Sequence, residues 1–431
     1  MSGFWFEQTA RLGGGRHGRA GVIHTPHGDI ATPAFIPVGT KAAVKGVLPH
    51  EVAATGAQAV LANAFHLYLQ PGPDIVAAAG GLGAFMGWHG PTFTDSGGFQ
   101  VMSLGAGFKK VIEMTLDGAA STEAARDDSA TANGRQRLSK VDEDGVDFAS
   151  PIDGSKHRFT PEVSVGIQHR LGADIMFAFD ELTTLRNTRE YQESSVARTQ
   201  RWAQRCLDEH VRLTSVPIGT PPNGATPGTD RPYQALFGVV QGAQYEDLRR
   251  LACRGLAATR AAGATPDQAG GAFDGYGIGG ALEKSMIGTI VGWCAEELPD
   301  DKPRHLLGIS EPEDLFAATE AGADTFDCVN PSRTARNAAI YTATGRYNVT
   351  NARFRADFGP LEEGCDCLTC RTTTRAYLHH LFHAHELNAY TLATIHNERF
   401  TIRLVDQIRA SITDGTFDEF KDSWLARWKR R

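Results

Sequence analysis

Eight short apolar runs, each ending in a polar or glycine-rich corner, constrain this chain more than any other feature. They are PAFIPVG (33–39), AVLANAFHL (59–67), PTFTDSGG (91–98), DIMFAFDE (174–181), ALFGVVQG (235–242), GYGIGG (275–280), RHLLGI (304–309) and ADTFDCV (323–329). Runs of this length read as strands. Most are separated by helix-like stretches such as NTREYQESSVARTQRWAQRCLDEHV and PEDLFAATEAG. Strands alternating with helices predict an α/β fold, a (β/α)8 barrel; on pattern alone an open doubly wound sheet also fits. The placement of polar residues favours the barrel. Asp95, Asp180, Gln241, the Gly279–Gly280 pair and Asp327 all fall at the downstream ends of runs, where a parallel barrel gathers its loops on one face.

Two stretches interrupt the alternation. Residues 117–145 are small, polar and charged, and residues 214–232 are rich in Pro, Gly and Thr; both read as insertions at the surface. After residue 340 the pattern changes. A cysteine cluster is followed by the helical stretch RAYLHHLFHAHELNAYTLATIHNERF and the basic end WLARWKRR. The expected division is a barrel over 1–340 and a metal-stapled subdomain with a helical region over 341–431.

The 431 residues carry a net charge of −7, so any nucleic-acid partner needs a local basic patch. No stretch approaches the roughly 18 consecutive apolar residues of a membrane helix. The start, MSGFWFEQTARLGGGRHGRA, lacks the apolar centre of a secretion signal, so a cytoplasmic protein is expected, with no membrane partner.

Of the seven cysteines, Cys365, Cys367 and Cys370 form CDCLTC. An odd count in a cytoplasmic chain argues against a disulfide framework. Three thiolates so close supply most of a tetrahedral zinc site, and with no position left for water the site is structural. The fourth ligand is a downstream histidine, and spacing leaves His379, His380, His383, His385 and His396 open.

The corners carry the rest of the chemistry. A strand-end Asp can simply cap the next helix, but in TDSGGFQ the residue is followed by Ser96 and two glycines that let a ligand approach the backbone. Asp180, the amide of Gln241 and the backbone of GIGG complete the groups that hold a flat polar heterocycle: a carboxylate for N–H donors, amide and peptide N–H for a carbonyl oxygen. Two carboxylates on one barrel face also suit glycoside chemistry, one attacking an anomeric carbon while the other moves protons. Arg333 and Arg336, just beyond Asp327, can bind phosphates or base edges.

In order along the chain, TDSGGFQVMSL, FAFDE, VVQG, GIGG, DTFDCVNPSRTARN and CDCLTC…H resemble the signatures of the queuine-type tRNA-guanine transglycosylases, in their bacterial form. The resemblance runs from TPAFIPVGTKAAVKG to IHN. It implies an irregular (β/α)8 barrel with a zinc subdomain, and an enzyme that exchanges guanine at the anticodon wobble position for a 7-deazaguanine in queuosine biosynthesis. Asp327 is then the nucleophile that forms a covalent ribose intermediate, and Asp95 the acid and base toward the exchanged bases. Ser96, Gly97, Gly98, Asp180, Gln241, Gly279, Gly280 and Ala281 line the base pocket, with Phe99 and Leu307 sandwiching the ring. Gly308, Ile309 and Ser310, with Ser332, Arg333, Thr334, Ala335 and Arg336, contact the RNA, a tRNA with a GUN anticodon in a UGU loop. The resemblance selects His396 as the fourth ligand of one zinc per subunit and implies a homodimer.

The chain departs from that pattern in GGALEKS (279–285), which is one residue short, so that Glu283 is the candidate for the glutamate near the 7-substituent. DEL stands where many bacterial relatives have Asp-Glu-Cys, and Asn330 where a bulky apolar residue is usual. The default substrate is 7-aminomethyl-7-deazaguanine. Direct salvage of queuine, or a non-catalytic tRNA-binding partner subunit, are the alternatives; retention of both Asp95 and Asp327 opposes the latter.

Overall fold

The computed structural model describes residues 3–103, 139–215, 232–265, 268, 270–280 and 282–428. Most of the two expected insertions (117–138 and 216–231), Ala281 and the last three basic residues lie outside the described residues.

All eight apolar runs contain a strand of one sheet: β1 (Ala34–Pro37), β2 (Val60–Ala62), β3 (Thr92–Thr94), β4 (Ile175–Phe177), β5 (Ala235–Val240), β6 (Gly275–Ile278), β7 (Arg304–Leu306) and β8 (Thr325–Cys328). Every neighbouring pair is parallel, and β8 returns to pair with β1. A single parallel bridge, Val38 to Leu61, with the Gly39 N–H donating to Leu61 at 2.7 Å, brings β1 to β2 and nearly closes the barrel.

Strand periodicity sorts the side chains into two cores. In β5, Ala235, Phe237 and Val239 point inward, while Leu236 and Val240 pack outward beneath the helices. Phe93, Ile175 and Phe177 fill the same interior. A three-stranded antiparallel sheet that the alternation does not announce, Trp5–Arg11, Arg19–Thr25 and Gly28–Thr32, lies across the upstream mouth. Its Ile23 and Ile30 join the interior core, and Phe4 meets Phe237 edge-on at 5.9 Å. A second small sheet, Ser139–Val141, Val146–Ala149 and Lys156–Phe159, intervenes between β3 and β4.

The helices follow local rules. Pro161–Leu171 starts with Thr160 accepting from the Val163 N–H, has Pro161 at its first position and ends at the left-handed Gly172. The 26-residue helix Asn388–Thr413 packs against β1. Its Arg409 donates to the carbonyls of Ala31 and Pro33 at 3.0 and 2.8 Å. Among the described residues no helix is long and apolar enough to cross a membrane.

The upstream sheet is pinned to β8 by charge. Arg19 and Asp324, both fully buried, form a bidentate pair with two 2.8 Å hydrogen bonds, and Asp324 also accepts from the Arg304 N–H at 2.7 Å. Removing one partner of such a pair strands the other charge without solvent. Asp324→Ala is therefore expected to destabilise the fold by about 3–5 kcal/mol in equilibrium denaturation, and Asp324→Asn by less.

Candidate active site

Each polar corner singled out in the sequence lies at the downstream end of its strand, and contacts link them into one cleft. Asp95 follows β3. Its Oδ1 accepts from the Ala64 N–H at 2.8 Å, and its Oδ2 from Gln100 Nε2 at 3.2 Å and from Asn63 Nδ2. Even so, burial, with a further contribution from the nearby Asp327 charge, pushes Asp95 up to about 7. Asp180, after β4, accepts from Gln241 Nε2 at 2.6 Å and from Ser96 Oγ at 3.3 Å. Its burial outweighs both donors and raises it to about 6.

Glycines make the corner walls. A Cβ at Gly98 would lie 3.1 Å from the Asp180 carbonyl oxygen, too tight for a side chain without displacement. Gly280 has φ +87°, and a Cβ there would come within 2.6 Å of Gln241 Oε1. That oxygen is buried and has no hydrogen-bond partner within the described chain. Leu307 faces the Gly279 corner, where a Cβ would meet it at 3.4 Å. Phe99 sits exposed on the short helix Gly98–Ser103.

Asp327 lies inside β8 near its downstream end. Its Oδ1 accepts from the Gly308 N–H at 3.0 Å and meets His305 Nε2 at 3.1 Å. Gly308, expected on the RNA side, therefore has its N–H committed to the carboxylate. Of the other expected RNA residues, Arg333 is exposed and Arg336 partly so. Ile309 and Thr334 are half-buried, whereas Ser310, Ser332 and Ala335 turn inward. Burial, with the neighbouring Arg333 charge, lowers the Arg336 pKa. Glu283 is exposed, its carboxylate accepting from Ser285 Oγ at 3.2 Å.

Three residues of the cleft escaped the sequence reading. Asn63 caps the helix Ala64–Leu69 and also donates to Asp95. The fully buried Arg249 donates to the carbonyls of Val240, Ala243 and Gly279 at 2.8–3.0 Å, behind two pocket corners. His305 is a lone histidine within an apolar run. Asn63 had a signal in being the polar residue that ends its strand; the other two had none.

Away from the cleft, Cys365, Cys367, Cys370 and His396 converge, with their ligand atoms within 4.8 Å of one another. His396 Nδ1 is 3.3–3.6 Å from all three sulfurs. His396 Nε2 lies 2.7 Å from the Tyr341 carbonyl, an acceptor only, so Nε2 carries the proton and Nδ1 presents its lone pair to the sulfurs. This donor set fits a metal ion, and of the five histidines it takes His396. His379 is engaged elsewhere, with Nδ1 on the Val349 carbonyl at 2.9 Å. The cluster is expected to hold one metal ion per chain, checked by elemental analysis. Cys367→Ala should lose the metal and unfold at lower temperature, and His396→Ala should lower metal content similarly.

A family model described as queuine tRNA-ribosyltransferase matches residues 15–430. The chain is 41% identical over 413 residues to the queuine tRNA-ribosyltransferase of Symbiobacterium thermophilum, covering 95% of this chain and 88% of that protein. It is 42% identical over 414 residues to that of Herpetosiphon aurantiacus (95% and 90% covered) and 43% identical over 415 residues to that of a Roseiflexus species (94% and 96% covered).

Proposed function

The chain belongs to the queuine tRNA-ribosyltransferase family, whose members are pentosyltransferases acting as tRNA-guanine transglycosylases, and from that premise we propose that it exchanges guanine at the wobble position of a tRNA with a GUN anticodon, in a UGU loop, for a 7-deazaguanine. The observation that carries this reading is the pairing of two carboxylates in one cleft with unlike surroundings. Asp95 is held partly protonated near neutrality, while Asp327 rests on two donors directed at one oxygen. Such a pair divides the labour of a double displacement. Asp327 attacks the ribose C1′ and breaks the bond to guanine. Asp95 gives the departing base a proton, then takes one from the incoming base, which displaces Asp327 with net retention.

The flipped base lies between Phe99 and Leu307. Asp180 receives its N–H edge, and the second amide proton of Gln241, with the Gly280 N–H, holds its carbonyl. Arg333 and Arg336 read the loop around the target, which suits recognition of unstacked bases in single-stranded RNA. The four-ligand cluster holds a structural zinc, which supplies folding energy and no chemistry. Residues 1–340 form the catalytic barrel, and residues 341–431 a zinc subdomain with its C-terminal helical region. Exposed Phe358, Tyr377 and Leu387 on that subdomain support a homodimer contact there. With tRNA as substrate we place the protein in the cytoplasm.

Asp327→Ala is expected to abolish exchange of labelled guanine into a UGU-loop tRNA and to form no RNA adduct on a denaturing gel. An adduct in that variant would overturn the assignment. The acid form of Asp95 is present below about 7 and lost above it. Single-turnover adduct formation should therefore fall as pH rises through that value, and Asp95→Asn should lack this limb.

For the base itself we propose 7-aminomethyl-7-deazaguanine, with Glu283 steering the pocket wall. The serine contact of Glu283 is exposed and of small net worth, so the side chain can turn. In direct competition the aminomethyl base should be incorporated ahead of queuine. More efficient incorporation of queuine would make this a salvage enzyme, and an unchanged preference in Glu283→Ala would remove Glu283 from the account.

A further inference from the structure

His305 is buried completely in the barrel interior, and its ring is walled by Phe177 and Phe93 at centroid distances of 5.1 and 5.7 Å. It sits on β7 in direct register with Thr325 on β8, and Asp327 is the next inward residue along β8. Both ring nitrogens are engaged: Nδ1 lies 2.8 Å from Thr325 Oγ1 and Nε2 3.1 Å from Asp327 Oδ1. An ionised carboxylate only accepts, so Nε2 carries a proton. Thr325 is also fully buried, and its hydroxyl has no other partner among the described residues. The hydroxyl proton is satisfied by donating to Nδ1. The neutral Nε2–H tautomer therefore satisfies every member of the chain Thr325–His305–Asp327 without placing a cation in an apolar interior.

Both donors to Asp327, the His305 Nε2–H and the Gly308 N–H, meet the same oxygen, Oδ1. Oδ2 takes no hydrogen bond among the described residues. We propose that His305, held in one tautomer by Thr325, is a positioning residue that marks Oδ2 as the attacking atom and makes the carboxylate a good leaving group in the second displacement. The inference rests on Asp327 being the nucleophile. In the first displacement an Oδ2 lone pair forms the bond to C1′ while the C1′–N9 pair leaves with guanine, which takes a proton from Asp95. Oδ1 becomes the ester carbonyl. In the second, N9 of the incoming base bonds to C1′ and gives its proton to Asp95. The Oδ2–C1′ pair then returns to the carboxylate, where charge builds again on Oδ1 against the two donors.

Hydrogen bonds to an ionised acceptor are about twice as strong as those to a neutral one. The His305 donor therefore favours free carboxylate over ester. Removing it should shift the balance between enzyme with tRNA and covalent adduct with guanine toward the adduct. A residue that merely supported the fold would, when lost, lower adduct and turnover together.

The test is quantitative adduct trapping with a UGU-loop tRNA at fixed guanine, alongside guanine exchange. Relative to wild type, His305→Phe should raise the equilibrium adduct-to-free ratio about tenfold while slowing exchange. His305→Gln, which restores an N–H donor, should bring the ratio back toward wild type. Thr325→Val keeps the ring but frees Nδ1, and should raise the ratio severalfold; it carries the test if His305→Phe does not fold. A ratio that is unchanged, or that falls with the exchange rate, in His305→Phe or in Thr325→Val overturns the proposal. Absence of any adduct in the wild-type protein would instead overturn the covalent reading on which it stands.

Discussion

Three carboxylates share one partly desolvated cleft, and the local structure around them is organised to make that tolerable. Among the described residues none of the three has a lysine or arginine partner. Asp95 is held by Asn63, Gln100 and the Ala64 N–H, Asp180 by Gln241 and Ser96, and Asp327 by His305 and the Gly308 N–H. Neutral donors stabilise a carboxylate without cancelling its charge, so burial still raises Asp95 to about 7 and Asp180 to about 6. A guanidinium in place of those donors would pull Asp95 and Asp180 back down. The one buried arginine behind the cleft, Arg249, spends itself on backbone carbonyls instead. It fixes the corners after β5 and β6 while its charge stays behind the wall.

Barrel geometry does the positioning. Parallel pairing of β7 with β8 sets His305 beside Thr325, and the two-residue period then brings Asp327 one layer nearer the mouth. The same alternation that buries Phe93, Phe177 and Phe237 thus delivers a polar chain through the barrel interior to the Asp327 carboxylate. At the other mouth Ile23 and Ile30 of the upstream sheet, with Phe4 just ahead of it, pack into the same apolar interior.

Much of this was legible in the sequence, and the physical reasons differ by element. The eight strands were visible because each is a short apolar run with a polar end, and the structure places one barrel strand inside every run. The upstream sheet was missed because its strands are not apolar runs with a polar end: Trp5–Arg11 is exposed along most of its length, and Arg19–Thr25, though largely buried, opens on an arginine and carries a histidine. Asp95 and Asp327 were legible because glycines or arginines near them mark places where something else approaches, and Asp180 because it follows an apolar run. His305 and Arg249 were not, since their roles depend on which strand or loop lies across from them, information carried by register and not by spacing. The cluster's cysteines were legible by proximity, but the histidine could not be chosen by counting. What selects it is the Tyr341 carbonyl, which fixes the His396 tautomer.

Tyr341 also connects the cluster to the downstream end of the barrel. His396 and Asn397 are consecutive on one helix. The first faces the three sulfurs and Tyr341; the second accepts from the Tyr341 N–H at 3.1 Å and donates to the carbonyls of Ala339 at 2.9 Å and Pro331 at 3.2 Å. Pro331 opens the turn of helix that carries Arg333 and leads to Arg336, directly after β8. One helical turn therefore faces the Cys–His cluster on one side and holds the arginine element on the other. An ion binding the sulfurs and His396 would stiffen the element that follows Asp327, while the corners after β3 to β6 have no contact of this kind with the cluster among the described residues. The two halves of the candidate site thus draw their rigidity from different sources, the barrel for the corners after β3 to β6 and the cluster for the segment that follows Asp327.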